Sequence, residues 1–388
     1  MAESSSTRGT GLAAPRPEVL ATMTDRHVLA MVAASDAPMS RAEVAERTGL
    51  SKPAVSAAAA RLHERGILHE VGVREGRRGG VATLFALNPD HGRSVAVVIQ
   101  NDRITVQARD LRGSIRATGE TAVMPGSTST DIVSATNSLI AESAHAFDAP
   151  LLAAAVSIAD PVDTTSADPV VLPRSVFPAA AIRPASDLAL SDALRLVVDN
   201  DVNWATLGEY REGRLRECDD FVYVYAGQGI GAGLFLNGRL FRGHRGLAGE
   251  IGYLRDGTVS GGDITEQLAE AGLGSADVYG IDLVKARAAL SPDPLSDIAA
   301  VSADVLGLAI ANLSIIINPR AIAFGGPLSV FPAFTAVIEE RLNSLSIDPP
   351  ELVTSDATPL LGAGLEAHRL ALDEAGVPDS SGAVQHDV

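Results

Sequence analysis

RAEVAERTGLSKPAVSAAAARLHER, residues 41–65, is the stretch whose reading decides the fold. Val44, Ala45, Leu50, Val55, Ala58 and Leu62 recur at helical spacing on both sides of a break at Thr48-Gly49-Leu50-Ser51. Gly49 can take a left-handed turn at no steric cost. Ser51 is placed to cap the second helix, with Pro53 in its first turn, where a missing N–H costs nothing. Small Ala45 lets the two helices approach closely. The spacing is that of a helix-turn-helix whose second helix suits the major groove of DNA.

Outward from the motif, residues 67–71 and 81–85 read as two short strands. Between them lies the glycine-rich basic tip Arg74-Glu75-Gly76-Arg77-Arg78-Gly79-Gly80. With a preceding helix over about 18–34, which supplies Val28, Leu29 and Val32 to the core, this is a winged helix-turn-helix. The second helix begins at Ser51 and offers Lys52, Ser56 and Arg61 on its exposed face; the wing offers Arg77 and Arg78. Arginine pairs bidentately with guanine edges or enters a narrow minor groove. The plainer reading is an αα-hairpin whose charges only face water. The wing decides for double-stranded DNA.

The chain has 388 residues and a net charge of −17, which looks wrong for a DNA-binding protein until it is divided. Residues 1–90 hold 11 Lys+Arg against 10 Asp+Glu, whereas the remainder holds 20 against 38. The acidic remainder should repel DNA, so contact is expected of the N-terminal part alone. Cys218 is the single cysteine, which excludes a disulfide framework and a cysteine-based zinc cluster. Residues 1–17 lack the apolar core of a signal peptide, and no apolar run is expected to span a bilayer. A cytoplasmic protein with no cofactor, no metal and no membrane partner is the expectation.

After Asn88-Pro89 the pattern changes to strands alternating with helices, an α/β domain. Residues 94–99 and 103–108 read as a hairpin, 131–147 as a helix and 151–158 as a strand. A Pro- and Asp-rich connection over 160–184 leads to the strand 196–198 and a helix over 203–212. Strands at 221–226 and 232–236 flank Gly227-Gln228-Gly229-Ile230-Gly231. A helix over 298–317, a strand at 321–324 and a helix ending near 345 follow. The expected division is a disordered leader (1–17), the winged domain (18–90), one α/β domain for effector binding and oligomerisation (91–375), and a flexible tail (376–388).

Three motifs carry a family resemblance: Val198-Asp199-Asn200-Asp201 followed by Asn203, the run GQGIGAGLFLNG at 227–238, and GHRGLAGEIGY at 243–253. The chain resembles the ROK family (repressor, open reading frame, kinase), here with an N-terminal winged helix. The resemblance implies an actin-like, sugar-kinase-type fold of two α/β lobes with a cleft between them. It also implies a homodimer or homotetramer and a sugar or sugar-phosphate effector. By resemblance, Asn200 binds sugar, and Asp201 stands where the kinases keep the base that takes the sugar hydroxyl proton. Read from the residues alone, Asn200-Asp201 could equally be an Asx turn capping a helix. Glu250 matches a sugar-binding glutamate. Glu266 matches either a second one or a carboxylate at a helix N-terminus.

The sequence also departs from the family. Tyr253 stands where the family has a histidine that binds both sugar and structural zinc. The cysteine cluster expected over 257–266 is absent, so the zinc is expected to be lost. Tyr253 can still donate one hydrogen bond and offer a ring to a sugar face. Where the kinases carry Asp-x-Gly-Gly-Thr, this chain has Gln100-Asn101-Asp102-Arg103, and Gln228 replaces the threonine of the second phosphate loop. Phosphoryl transfer depends on positioning phosphates, so no catalytic residue and no kinase activity are expected. The reading is a sequence-specific transcriptional regulator, a repressor of carbohydrate genes. Its alternatives are a ROK sugar kinase with an appended DNA-binding domain, and a regulator that uses the ROK domain only for assembly.

Overall fold

The computed structural model describes residues 17–75, 81–175, 177, 181–190, 193–255, 261–275, 279–292 and 294–378. They form two compact units, and the division falls between His91 and Gly92.

In the first unit α1 (Pro17–Ala33) is followed by β1 (Met39–Ser40), α2 (Arg41–Thr48) and α3 (Lys52–Glu64). The wing strands are β2 (Leu68–Glu75) and β3 (Val81–Leu87). Ser40 and Glu43 close a capping box on α2: the Ser40 N–H donates to the Glu43 carboxylate at 2.8 Å and the Glu43 N–H to the Ser40 hydroxyl at 3.3 Å. Gly49 ends α2 at φ +71°, and the Ser51 hydroxyl accepts from the Ala54 N–H at the start of α3. Val28, Leu29, Val44, Val55, Ala58, Leu62 and Phe85 are buried together as the pattern required. Two features were not read from sequence. β1 pairs with β3 as a third strand, and residues 375–378 cluster with this unit. Val377 is 5% exposed and Gly376 lies beside Leu29, which corrects the flexible-tail reading for residues 376–378; residues 379–388 lie outside the described ones.

The second unit has two five-stranded sheets. The first has the order β6-β5-β4-β7-β8, from β4 (Arg93–Ile99), β5 (Arg103–Asp110), β6 (Ile115–Ala122), β7 (Leu151–Ile158) and β8 (Arg195–Asn200). The second has the order β11-β10-β9-β12-β13, from β9 (Phe221–Ala226), β10 (Ile230–Leu236), β11 (Arg239–Phe241), β12 (Ala321–Gly325) and β13 (Glu351–Thr354). The helices are α4 (Ser129–Ala146), the short α5 (Pro184–Asp187), α6 (Asp201–Glu212), α7 (Ile264–Leu268), α8 (Leu283–Leu290), α9 (Asp297–Ile317), α10 (Pro332–Leu345) and α11 (Pro359–Glu374). β4 and β7 pair in parallel and are buried throughout, which is why they read as unbroken apolar runs.

Side-chain size decides which layer goes where. Val95, Val97 and Ile99 of β4 face α4, whereas Ala96, and Ala155 of β7, face α6 and α11. Small residues on that face admit the glycine- and alanine-rich side of α11. In the second sheet Phe221 and Tyr223 of β9 join the same layer, while Val222 and Val224 face α9 and α10. α9 meets the length and apolarity of a membrane span, contrary to the expectation that no run would. Its alanines 299, 303, 309 and 311 are nonetheless buried in this core.

Phe334 of α10 is fully buried in that core. Phe334→Ala is expected to cost about 3–5 kcal/mol, read as a lower denaturant midpoint at unchanged slope.

Candidate functional site

The site is built where the ends of β7 and β8 in one lobe meet the turns after β11 in the other. β8 ends at Asn200, and α6 starts at Asp201, two residues before the expected start. Asn200 caps the helix: its Oδ1 accepts from the Val202 N–H at 2.9 Å, and its Nδ2 donates to the Ala159 carbonyl at 3.1 Å. The capping alternative therefore holds, and the Asn200 side chain is largely committed to the fold.

Asp201 follows it into the junction. Its carboxyl is pushed up to about 7, first by burial and then by the nearby Glu250 and Asp160. Glu250 is likewise raised to about 7 by burial and by Asp160. Asp160, at the end of β7, is raised to about 6 by burial, against which the Ser175 hydroxyl stabilises its ionised form. Three carboxyl groups thus share one poorly solvated region. Asp160 was missed because it lies at the start of a connection with no periodicity.

Glu250 is presented by a turn that only glycine permits. Gly249 has φ +93°, and a Cβ there would overlap the Ala232 carbonyl oxygen, while its own carbonyl accepts from the Ala232 N–H at 2.8 Å. Among the described residues no hydrogen bond reaches the Glu250 side chain. Tyr253, three residues on, is half-buried, with its ring centroid 6.0 Å from that of Tyr279. Burial, and then the carboxylates of Glu250 and Asp263, push its hydroxyl above the ordinary tyrosine value.

Glu266 is engaged elsewhere. It closes the capping box of α7 by accepting from the Asp263 N–H at 2.9 Å, and it takes an ion pair from Arg174 at 2.6 Å. Of the two readings offered for Glu266, the helix N-terminal one is realised; the signature Asp263-x-x-Glu266 was itself legible as a capping box.

The two phosphate-loop positions meet each other. Asn101, in the hairpin between β4 and β5, donates to the Gln228 Oε1 at 3.1 Å, while the Gln228 carbonyl accepts from Ile281 at 2.9 Å. Gln228 stands where the kinase motif carries threonine, and Asn101 lies in the stretch found in place of Asp-x-Gly-Gly-Thr. Tyr253 and the residues after it do not supply a zinc donor set, though 256–260 lie outside the described residues.

In the winged unit Lys52 is exposed and Ser56 half-buried on α3, and Ser51 is exposed while serving as the cap. Arg61, expected as a DNA contact, places its guanidinium on Asp25 of α1 at 2.6 and 3.2 Å and so braces the two helices, with its side chain 39% exposed. Helical periodicity gives its face but not a partner 36 positions earlier. Arg77 and Arg78 lie outside the described residues.

A winged helix is followed by a two-lobed α/β domain whose loops meet through Asn101 and Gln228. Residues 94–267 match the ROK family model and residues 22–79 the MarR family model; the chain joins a ROK-family domain to a MarR-type winged helix. It is 32% identical to the bifunctional enzyme NanE/NanK of Brucella melitensis over 41% of this chain, and spans 32% of the length of that relative. It is 23% identical to the xylose repressor of Caldicellulosiruptor bescii over 79% of this chain and 84% of that one. The crystal structure of a ROK family transcriptional regulator, a homologue of the E. coli MLC protein, superposes with a TM-score of 0.65 at 19% identity, covering 92% of this chain and 98% of that one.

The raised carboxyl groups give a pH signature. A carboxyl whose value is higher folded than unfolded binds its proton more tightly in the fold, so its contribution weakens as pH climbs from about 4 to about 7. Glu250→Gln removes one such group. It is expected to raise the melting temperature at about pH 8 and leave it near wild type at about pH 4.5. Equal shifts at both pH values would contradict this electrostatic account.

Proposed function

We propose that this chain is a transcriptional regulator of carbohydrate metabolism, a repressor, which binds operator DNA through its winged helix and answers to a sugar or sugar phosphate at the junction of the ROK lobes. The observation that carries the reading is the joining of a MarR-type winged helix to a ROK domain whose two phosphate-loop side chains, Asn101 and Gln228, bond to each other. The repressor relative that matches most of its own length adds support. A homodimer or homotetramer would set the spacing of two recognition helices against a palindromic site. Lys52 and Ser56 from α3, with Arg77 and Arg78 from the wing, are the proposed DNA contacts. Asp201, Glu250 and Tyr253 are the proposed effector contacts, joined by Asp160. An effector acts by binding one arrangement of the lobes better than another.

The kinase reading draws on one observation: Asp201 is retained, with a carboxyl near 7, suited to a base. An ATP-consumption assay over a sugar panel is expected to give no turnover; activity that disappears in Asp201→Asn would establish the enzyme instead.

The DNA reading is tested by fluorescence anisotropy with DNA from upstream of the gene and its neighbours. Arg77→Ala combined with Arg78→Ala is expected to weaken binding and to lower the slope of log affinity against log salt by about 2. An unchanged slope would remove the wing from the interface.

A further inference from the structure

The connection after β7 bridges the lobes. Arg174, in its middle part, places its Nη1 2.9 Å from Asp263 and 2.6 Å from Glu266, both at the start of α7 in the second lobe. Its guanidinium lies 5.1 Å from the centre of the Tyr279 ring, and the Tyr279 hydroxyl donates to Asp263 at 2.8 Å. The next residue, Ser175, turns the other way and donates to the Asp160 carboxylate at 2.8 and 3.1 Å. From α7 the Thr265 hydroxyl donates to the Gly252 carbonyl at 3.3 Å, two residues from Glu250. A chain of contacts therefore runs from Asp160 through Ser175, Arg174 and α7 to Gly252, in the turn that presents Glu250. The Asp160 charge is near enough to be felt at Glu250.

An exposed ion pair contributes little. This one is different because the Asp263 side chain is only 2% exposed. Removing the guanidinium leaves a buried carboxylate oxygen short of its partner, and the neighbouring Tyr279 hydroxyl and Glu266 N–H serve only the other oxygen. Arginine also suits the place better than lysine, since its planar guanidinium lies against the Tyr279 ring while a single nitrogen, Nη1, serves both carboxylates.

We propose that Arg174 is a positioning residue of the lobe junction: it locks the connection after β7 onto α7, so that Asp160 of one lobe and Glu250 of the other keep a fixed spacing. A ligand that draws on Asp160 then moves α7 through this contact. The role in ligand response rests on the effector reading above; the joining of the lobes does not.

The test uses the full chain as wild type, Arg174→Ala and Arg174→Lys, followed by hydrogen–deuterium exchange. Arg174→Ala is expected to speed exchange at least about tenfold in both 161–175 and 262–273, with Arg174→Lys between it and wild type and the winged unit unaffected. Exchange that rises in only one of the two segments overturns the proposal. Titration with D-xylose and with N-acetyl-D-glucosamine reads the second half. A sugar that binds wild type should bind Arg174→Ala at least about fivefold more weakly, and equal affinity would overturn the positioning role. If neither sugar binds wild type, the effector reading for these sugars fails, and the exchange result alone decides whether Arg174 joins the lobes.

Discussion

The close approach of α6 and α11 is the constraint from which the larger unit follows. A Cβ at Gly362 of α11 would overlap the Trp204 carbonyl oxygen of α6, and one at Gly208 would come within 3.3 Å of the Gly362 nitrogen. The two helices fit between the sheets because the facing strand residues include Ala96 and Ala155 on one side and Gly233 on the other. The single tryptophan of the chain, Trp204, then reaches past α11 to donate its Nε1 to the Val156 carbonyl at 3.0 Å. With α6 so fixed, its first residue, Asp201, has one place to be. The site is a product of backbone packing before it is a product of charge.

Electrostatics then works against the resting molecule. Asp199, buried at the end of β8, is fully served: it accepts from Asn203, from the Asn200 N–H and from the Arg242 guanidinium of the second lobe at 2.7–2.8 Å. Among the described residues Asp160, Asp201 and Glu250 have no such cation, and burial, joined at Asp201 and Glu250 by neighbouring carboxylates, raises their values. Two aspartates two residues apart thus differ in kind. One is a strut between lobes; the other has no basic partner among the described residues and accepts the Val202 N–H instead.

What could be read from the chain follows the range of the interactions. The turn at Gly49, the cap at Ser51 and the buried strands depend on neighbours a few residues away, and each was legible. β1, two residues long, exists only through its pairing with β3, and β6 alternates Thr, Gly and Glu in a way that suits a loop equally well. Arg61 was assigned to the outer face of α3 by periodicity, which does not report Asp25. The family motifs located Asn200, Asp201, Glu250 and Tyr253, but Asp160 and Arg174 come from a connection in which no motif or period marks them. Glu266 was ambiguous only because two local rules applied to it at once.

The hydrogen bond between Asn101 and Gln228 lies in water. Replacing either amide would hand the other to solvent at little cost, so the contact acts as a latch rather than a weld: it can open and close without disturbing either sheet.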